Sequence, residues 1–343
     1  MTDAYIDPSR LTAFLDQHGI GEGTLTFRRI GDGQSNLTFL IERSGVRLAL
    51  RRGPRPPFPP SAHDMLREAR MVSALAEHDV PVPVVRATCA DEAVLGVPFY
   101  VMDFLDGVII TDELPPQFDD EDQRRRLCEA LVDALVSLHD VDVHARGVSE
   151  LGRPSGYLRR QIERFGEVHE RVATRGLPEV VSIARWLDAH LPAESGASVV
   201  HGDFRMGNLM FDRAIPVVVG ILDWEMATLG DPLADLGYLV ATYPEPGSQP
   251  TPLDLSPVTR GSGFLRRDDL IERYSRRSGR DVERLDWYQV LALWKAAVFC
   301  EAIYTRWLAG ERPDDHTFAP QLRDGVPRLL ALARATGGIR STV

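Results

Sequence analysis

The chain has 343 residues and a mass of 38.2 kDa, with 44% hydrophobic and 26% charged residues. Those values exclude a largely disordered chain, a collagen-like fibre and a coiled-coil rod, and the length allows one large domain or two lobes. The 39 basic and 50 acidic residues leave a net charge of −11 with no long basic run, which disfavours a nucleic-acid or anionic-membrane partner.

Lys295 is the single lysine, so arginine must serve wherever a mechanism needs a lysine elsewhere. Cys89, Cys128 and Cys300 lie far apart without a C-x-x-C pair, which suggests neither a disulfide scaffold nor a zinc knuckle and fits a reducing cytoplasm. The N-terminus has no basic, apolar leader. The longest apolar runs, such as Ile215 to Leu222, stop at about eight residues, short of a membrane span.

From Thr24 to about Phe104 the apolar residues come in short, β-branched or aromatic runs: Leu25 to Ile30, Leu37 to Ile41, Val46 to Leu50 and Phe99 to Phe104. This pattern predicts an antiparallel sheet. One helix interrupts it after the proline-rich stretch Pro54 to Pro60, with Ser61 as N-cap and Met65, Ala69, Val72 and Leu75 at helical spacing. It ends before Val80-Pro81. Beyond Gly107 long helical patterns take over, as in Leu127 to Leu138 and Trp287 to Leu308, so a boundary falls near residues 104 to 107. The exception is Val199 to Asp223, where Leu209 to Phe211 and Ile215 to Leu222 flank Asp212 as a hairpin. Pro244 to Gly263 is predicted to be a loop between helices.

The strongest chemical signal is His201-Gly202-Asp203-Phe204-Arg205-Met206-Gly207-Asn208, followed by Leu222-Asp223-Trp224-Glu225. Asn208 and Asp223 are two oxygen donors for a hard cation, and Asp203 is a carboxylate left to orient a hydroxyl. That is the minimum equipment for magnesium-assisted phosphoryl transfer, because ATP phosphates and water supply the remaining ligands. His201 fits a structural role holding the loop, with metal-dependent hydrolysis through His201 and Asp203 as the weaker alternative.

In the first half, Gly31-Asp32-Gly33-Gln34-Ser35-Asn36 lies between two predicted strands, where glycines permit a tight turn whose N–H groups can approach phosphate; a plain hairpin is the alternative. No Walker A pattern occurs, which excludes P-loop kinases. Glu68 sits on the apolar stripe of its helix, facing the sheet, and a buried acid there needs a partner. Arg51 and Arg52 end the strand Leu48 to Arg52 and are the available cations, or else solvated charges with Glu68 paired elsewhere.

H-G-D-x-x-x-x-N followed by an apolar-apolar-D-W turn resembles the aminoglycoside phosphotransferase and choline kinase branch of the protein-kinase-like fold. Within that branch, Gly31 to Asn36, Leu50-Arg51-Arg52 and Gly230-Asp231-Pro232-Leu233-Ala234-Asp235-Leu236-Gly237 are most similar to the kinase-like domain associated with acyl-CoA dehydrogenases. The resemblance implies an α+β, two-lobed fold: residues 1–105 a small antiparallel-sheet nucleotide-binding lobe with one helix, and residues 106–343 a larger, mainly helical catalytic and acceptor-binding lobe. It implies ATP and Mg2+ as cofactors, a small-molecule hydroxyl as acceptor, Asp203 as catalytic base and Asn208 and Asp223 as magnesium ligands. Gly31, Gly33, Gln34, Ser35 and Asn36 would cover the phosphates, and Arg51, fixed by Glu68, would contact them in place of the usual lysine. The hinge Phe99 to Gly107 would bind adenine through Asp103 C=O and Leu105 N–H. Asp235 would anchor the backbone of the H-G-D loop, whereas Asp231 has the chemistry of an N-cap.

D-W-E in place of D-F-G, without an A-P-E segment, favours a small-molecule kinase over a protein kinase. The acidic excess would suit a cationic acceptor, whereas the dehydrogenase-associated resemblance points to hydroxylated acyl compounds. A nucleotide-binding pseudokinase is the rival reading, because of the arginine at the strand position.

Overall fold

A computed structural model describes residues 5–31, 36–55, 63–172, 174–312 and 315–340. Asp7 caps helix α1 (Pro8–Gln17) by accepting Arg10 N–H, and Pro8 starts it at a position that needs no donor. Its buried Leu11, Phe14 and Leu15, at helical spacing, lie against one face of a five-stranded antiparallel sheet. The strands are β1 (Thr26–Ile30), β2 (Leu37–Arg43), β3 (Val46–Arg52), β4 (Val85–Cys89) and β5 (Phe99–Asp103), in the order β1-β2-β3-β5-β4. Strand alternation sorts β3 between two cores. Leu48 and Leu50 join Phe39, Ile41 and Val101 on the α1 face, while Ala49 joins Met65, Ala69, Tyr100 and Met102 beneath helix α2 (Met65–Leu75). Arg51, two residues after Ala49, is thereby sent toward α2.

Four strands and α2 fall where the sequence pattern places them. The edge strand β4, with its register shift between Val85 and Ala87, and the helices α1 and α3 (Glu92–Leu95) are additions to the sequence reading. Ser61, expected as the N-cap of α2, lies outside the described residues; Asp64 holds that position and accepts Arg67 N–H at 2.9 Å.

After β5 the chain forms β6 (Val108–Ile109) and helices α4 (Glu121–His139), α5 (Tyr157–Val172) and α6 (Pro178–Ala189). Strand β7 (Ser198–Val200) leads into the hairpin β8 (Leu209–Phe211) and β9 (Val218–Ile221), followed by β10 (Thr228–Gly230), which pairs with β7. The hairpin is the predicted one, but its second strand starts at Val218. Asp212 Oδ1 accepts the N–H groups of Ala214 and Ile215 and holds the turn open past Pro216. Helices α7 (Leu233–Thr242), α8 (Arg267–Ser278), α9 (Leu285–Leu308) and α10 (Phe318–Thr336) complete the chain, with residues 243–266 as the predicted connection apart from one short 3-10 turn.

Helix α9 is the axis of the larger core, touching α5, α6, α7 and α10. It buries Trp287 and Trp294, whose indole N–H groups donate to Leu187 O and Val180 O, so neither polar tip is stranded. Among the described residues no helix is long and apolar enough to cross a membrane.

Candidate active site

The H-G-D loop leaves β7 and is held from below by α7. Asp235, in the first turn of α7 and fully buried, accepts His201 N–H at 2.6 Å and Gly202 N–H at 2.8 Å, as the resemblance implies. His139 Nε2 of α4 approaches the same carboxylate at 3.3 Å, and His139 Nδ1 lies 2.7 Å from the Tyr274 hydroxyl. Burial pushes the pKa of Asp235 up, but His139 and the loop N–H groups outweigh it and hold the carboxyl below its ordinary value. Gly202 has φ +85°, and a Cβ there would stand 3.0 Å from both Cβ and O of Met226, so the turn demands glycine twice over.

His201 spends both ring nitrogens on the loop. Nδ1 accepts Asp203 N–H at 3.2 Å, which makes Nε2 the protonated nitrogen that donates to Leu222 O at 2.9 Å. A buried histidine so engaged is a strut and leaves no lone pair for a metal. This removes the hydrolase alternative.

The loop presents Asp203 between two donors. Asn208 Nδ2 donates to Asp203 Oδ2 at 2.8 Å and to Asp203 O at 2.8 Å, and the Tyr238 hydroxyl donates to Oδ1 at 2.5 Å. Tyr238 is absent from the sequence reading, although its place three residues after Asp235 on α7 puts both side chains on one helix face and was a usable signal.

Asp223 follows β9 in the left-handed region, φ +67° and ψ 67°, which is strained for a residue with a Cβ. The backbone is held by Leu222 N–H donating to Asn208 O at 2.8 Å, so the two oxygen donors, Asn208 and Asp223, are tied to one another through the chain. Arg51 reaches Asp223 Oδ1 with Nη2 at 2.5 Å and lies 2.7 Å from Glu68 Oε1 through Nε. The Tyr100 hydroxyl also donates to Glu68 Oε1, at 3.1 Å. Arg51 and Glu68 are therefore paired rather than solvated. Arg52, by contrast, is buried on the α1 face, where its guanidinium donates to Leu95 O and Gly53 O. Burial pushes the Glu68 carboxyl up to about 7 although Arg51 pulls it back, and burial lowers the pKa of Arg51 by less than Glu68 and Asp223 raise it. Glu68 Oε2 and Arg51 Nε are buried without a hydrogen-bond partner among the described residues.

These groups line a cleft of about 700 Å³ that also takes in Gly31, Asn36, Asp103 and Leu105. Its inner wall is apolar, from Ala49, Val72, Met102, Met210 and Ile221, a setting for a flat heterocycle next to a polar end. Gly31 has φ +73°, whereas Gly33, Gln34 and Ser35 lie outside the described residues. The side chain of Asn36 is committed elsewhere: Nδ2 donates to Glu225 Oε2 at 2.9 Å and Oδ1 lies 2.8 Å from His63 Nδ1. It straps the end of the glycine turn to the D-W-E turn.

The donor set fits magnesium better than a transition metal. The amide nitrogen of Asn208 is used by Asp203, which leaves its carbonyl oxygen as the coordinating end, and Asp223 has its Oδ2 beyond the bond to Arg51. Among the described residues no three His, Cys, Asp or Glu side chains gather to hold an ion unaided. A cation here would need oxygens from a ligand, which is the habit of magnesium with phosphates.

On the far side of Asp203 lies a second, narrower cavity of about 220 Å³, walled by Phe165, Leu253, Leu291, Ala296 and Phe318. Its charged members are Asp203, Glu225, Asp235 and Lys295, joined by Tyr157, Tyr238 and Tyr288. Lys295 Nζ donates to Gln161 Oε1 at 2.7 Å and lies 4.8 Å from the centre of the Phe165 ring. Burial lowers its pKa to about 8.

Residues 26–288 match the model of the phosphotransferase enzyme family. Acyl-CoA dehydrogenase family member 10 of Mus musculus is 32% identical over 88% of the chain. The chain spans 28% of that relative's length, and 36% and 41% of similar dehydrogenase-family proteins from Arabidopsis thaliana and Rattus norvegicus. A crystal structure from Ralstonia eutropha, provisionally assigned as an aminoglycoside phosphotransferase, is 29% identical, with a TM-score of 0.79 over 97% of this chain and 98% of its own. The aminoglycoside phosphotransferase APH(4)-Ia, in a ternary complex with AMP-PNP and hygromycin B, shares the fold at 15% identity, with a TM-score of 0.62 over 98% of this chain and all of its own. The match over residues 26–288 establishes that this chain belongs to the phosphotransferase enzyme family.

Proposed function

We propose that the protein transfers the γ-phosphoryl group of ATP to a hydroxyl of a small molecule, with magnesium. Residues 1–105 would be the nucleotide-binding lobe and residues 106–343 the catalytic and acceptor-binding lobe, in a cytoplasmic protein. The observation that carries the reading is the placement of Asp203: it lines the narrow cavity, while Asn208 and Asp223 line the larger cleft. One carboxylate thus separates a space for an acceptor from a space for a nucleotide.

In this mechanism the adenine lies against Ala49, Met102 and Met210 and bonds to Asp103 C=O and Leu105 N–H, and Gly31 to Asn36 cover the phosphates. Asn208 and Asp223 would hold magnesium, which when bound would offset phosphate charge. Arg51, oriented by Glu68, exchanges its hold on Asp223 for phosphate oxygens. Asp203 orients the acceptor hydroxyl and takes its proton as the oxygen attacks the γ-phosphorus. The gain comes from alignment and from fixed charge at the phosphates.

The narrow cavity bears on the acceptor. Its walls are largely apolar, with Lys295 set among the carboxylates Asp203, Glu225 and Asp235, which suits an alcohol with an aliphatic body better than a polyhydroxylated aminoglycoside. Hydroxylated acyl compounds meet that description.

Titration with ATP by calorimetry, with and without magnesium and with Asp223→Ala as control, tests the nucleotide half. Magnesium-dependent binding lost in the variant is the expected result, and a wild type that binds no ATP overturns the reading. A screen of hydroxylated acids against aminoglycosides, following ADP release, then tests the acceptor half. One observation favours a second reading, a nucleotide-binding pseudokinase: Arg51 stands where kinases carry lysine and is bonded to Asp223. Such a protein would bind ATP yet release no ADP with any acceptor.

A further inference from the structure

The two oxygens of Asp203 face different spaces. Oδ2 takes Asn208 Nδ2 and lies 3.5 Å from Arg205 Nε, and both of those residues line the nucleotide cleft. Oδ1 takes the Tyr238 hydroxyl, and Tyr238 lines the narrow cavity with Asp203 itself. Rotation of an aspartate carboxylate about χ2 is soft, so a donor on one oxygen alone leaves the other free to swing. Donors on both oxygens, from two different elements, stop it.

We propose that Tyr238 is a positioning residue for phosphoryl transfer: its hydroxyl clamps Oδ1 so that a remaining lone pair of that oxygen points into the acceptor cavity. The proposal rests on the phosphotransferase reading. In the step it serves, the acceptor O–H bond breaks and its proton passes to Asp203 Oδ1. The acceptor oxygen bonds to the γ-phosphorus, and the bond from that phosphorus to the β–γ bridging oxygen breaks to release ADP. Tyr238 moves no proton. Burial and the neighbouring Asp203 hold the phenol well above its ordinary pKa, so it stays a donor across the working range. The position is built into the fold. Asp235 grips the backbone of the H-G-D loop and Tyr238, one turn later on α7, grips its side chain, so one helix sets both.

Tyr238→Phe deletes the hydroxyl and keeps the ring. Water serves as the acceptor probe, with phosphate release from Mg-ATP followed in the full-length wild type, Tyr238→Phe and Asp203→Asn, and crystal structures determined for the wild type and Tyr238→Phe. The expected result is an ATP affinity within about twofold of wild type, kcat at least tenfold lower with unchanged KM for ATP, and an Asp203 carboxylate rotated off the cavity. A variant with wild-type kcat, or with Asp203 in its wild-type orientation, overturns the proposal. Unchanged turnover in Asp203→Asn would instead sink the assignment of Asp203 as base. If the wild type releases no phosphate, the phosphotransferase reading loses this support, and the crystal structures alone decide for or against Tyr238.

Discussion

Lys295→Met offers a direct measurement of what the narrow cavity does to a charge. The amine has a pKa of about 8 in the folded chain against an ordinary 10.5, which at ~1.4 kcal/mol per pH unit corresponds to about 3 kcal/mol. The side chain is half-buried and opens on a cavity large enough for water, so about 2 kcal/mol is the better expectation. Because the folded pKa is the lower one, the unfolded chain binds the extra proton between pH 8 and 10.5, and stability must rise with pH in that window. Below pH 8 the wild type carries the full cost of a buried charged amine, which Asp235 offsets only in part. Methionine keeps the stem over Phe165 and removes the charge, though it also gives up the bond to Gln161. The change in the stability gap with pH, rather than its size at any one pH, therefore reports the charge. Urea unfolding at pH 7 and pH 10 should show the wild type gaining about 2 kcal/mol on Lys295→Met. As the only lysine, Lys295 also gives a single ε-carbon resonance in lysine-labelled protein. A resonance titrating near 10.5, or a gap unchanged between the two pH values, refutes the reasoning.

Other perturbations test the frame around the site. In Gly237→Ala the new Cβ would stand 2.6 Å from Tyr288 Cβ and 2.8 Å from its carbonyl carbon, so α7 and α9 must separate; urea unfolding should show a loss of about 2–3 kcal/mol, where an exposed helical glycine would gain stability. Asp235→Asn keeps the volume but turns an N–H toward the N–H of His201 or Gly202, and loss of one such bond to a charged acceptor costs about 1.5–3 kcal/mol, read by urea unfolding and by faster exchange of those amides. Glu68 has a folded pKa of about 7 against an ordinary 4.5, so the folded chain holds the proton longer and stability falls as pH rises through that interval; Glu68→Gln should flatten the slope in unfolding midpoints between pH 4.5 and 8. Arg51→Ala should weaken ATP binding at least tenfold by calorimetry, since the pair to Glu68 and the bond to Asp223 both depend on that guanidinium.

The parts of the fold legible in the sequence were those with one dominant period or a fixed spacing. Strands β1, β2, β3 and β5, helix α2 and the β8–β9 hairpin show as apolar runs, and Asp203, Asn208 and Asp223 are set by spacings that the loop geometry requires. Helix α1 escaped because a short amphipathic stretch with five polar or charged residues needs the sheet face to identify it. Strand β4 escaped because it is bulged, at the sheet edge and preceded by Pro81 and Pro83. Tyr238 was hidden for a different reason. It belongs to no motif, and the one pointer to it, its place a turn after Asp235, gains meaning once α7 packs beneath the H-G-D loop.

The cation usage of the chain acquires a physical sense from two positions. Arg51 is largely buried between two carboxylates and must stay charged, and a guanidinium keeps its proton there while its planar fork spans Glu68 and Asp223. An amine at that point could reach the same oxygens only as a single point donor. Lys295 is in a different situation: its hydrogen bond goes to a neutral partner, Gln161, and burial outweighs the pull of Asp235 on its charge. A guanidinium could not shed its charge in that setting, whereas an amine can, at a pH within reach of neutrality. The arginine at the nucleotide end and the lysine at the acceptor end are therefore not interchangeable. Exchanging both, in Arg51→Lys with Lys295→Arg, would keep the net charge and place each cation where its chemistry fails.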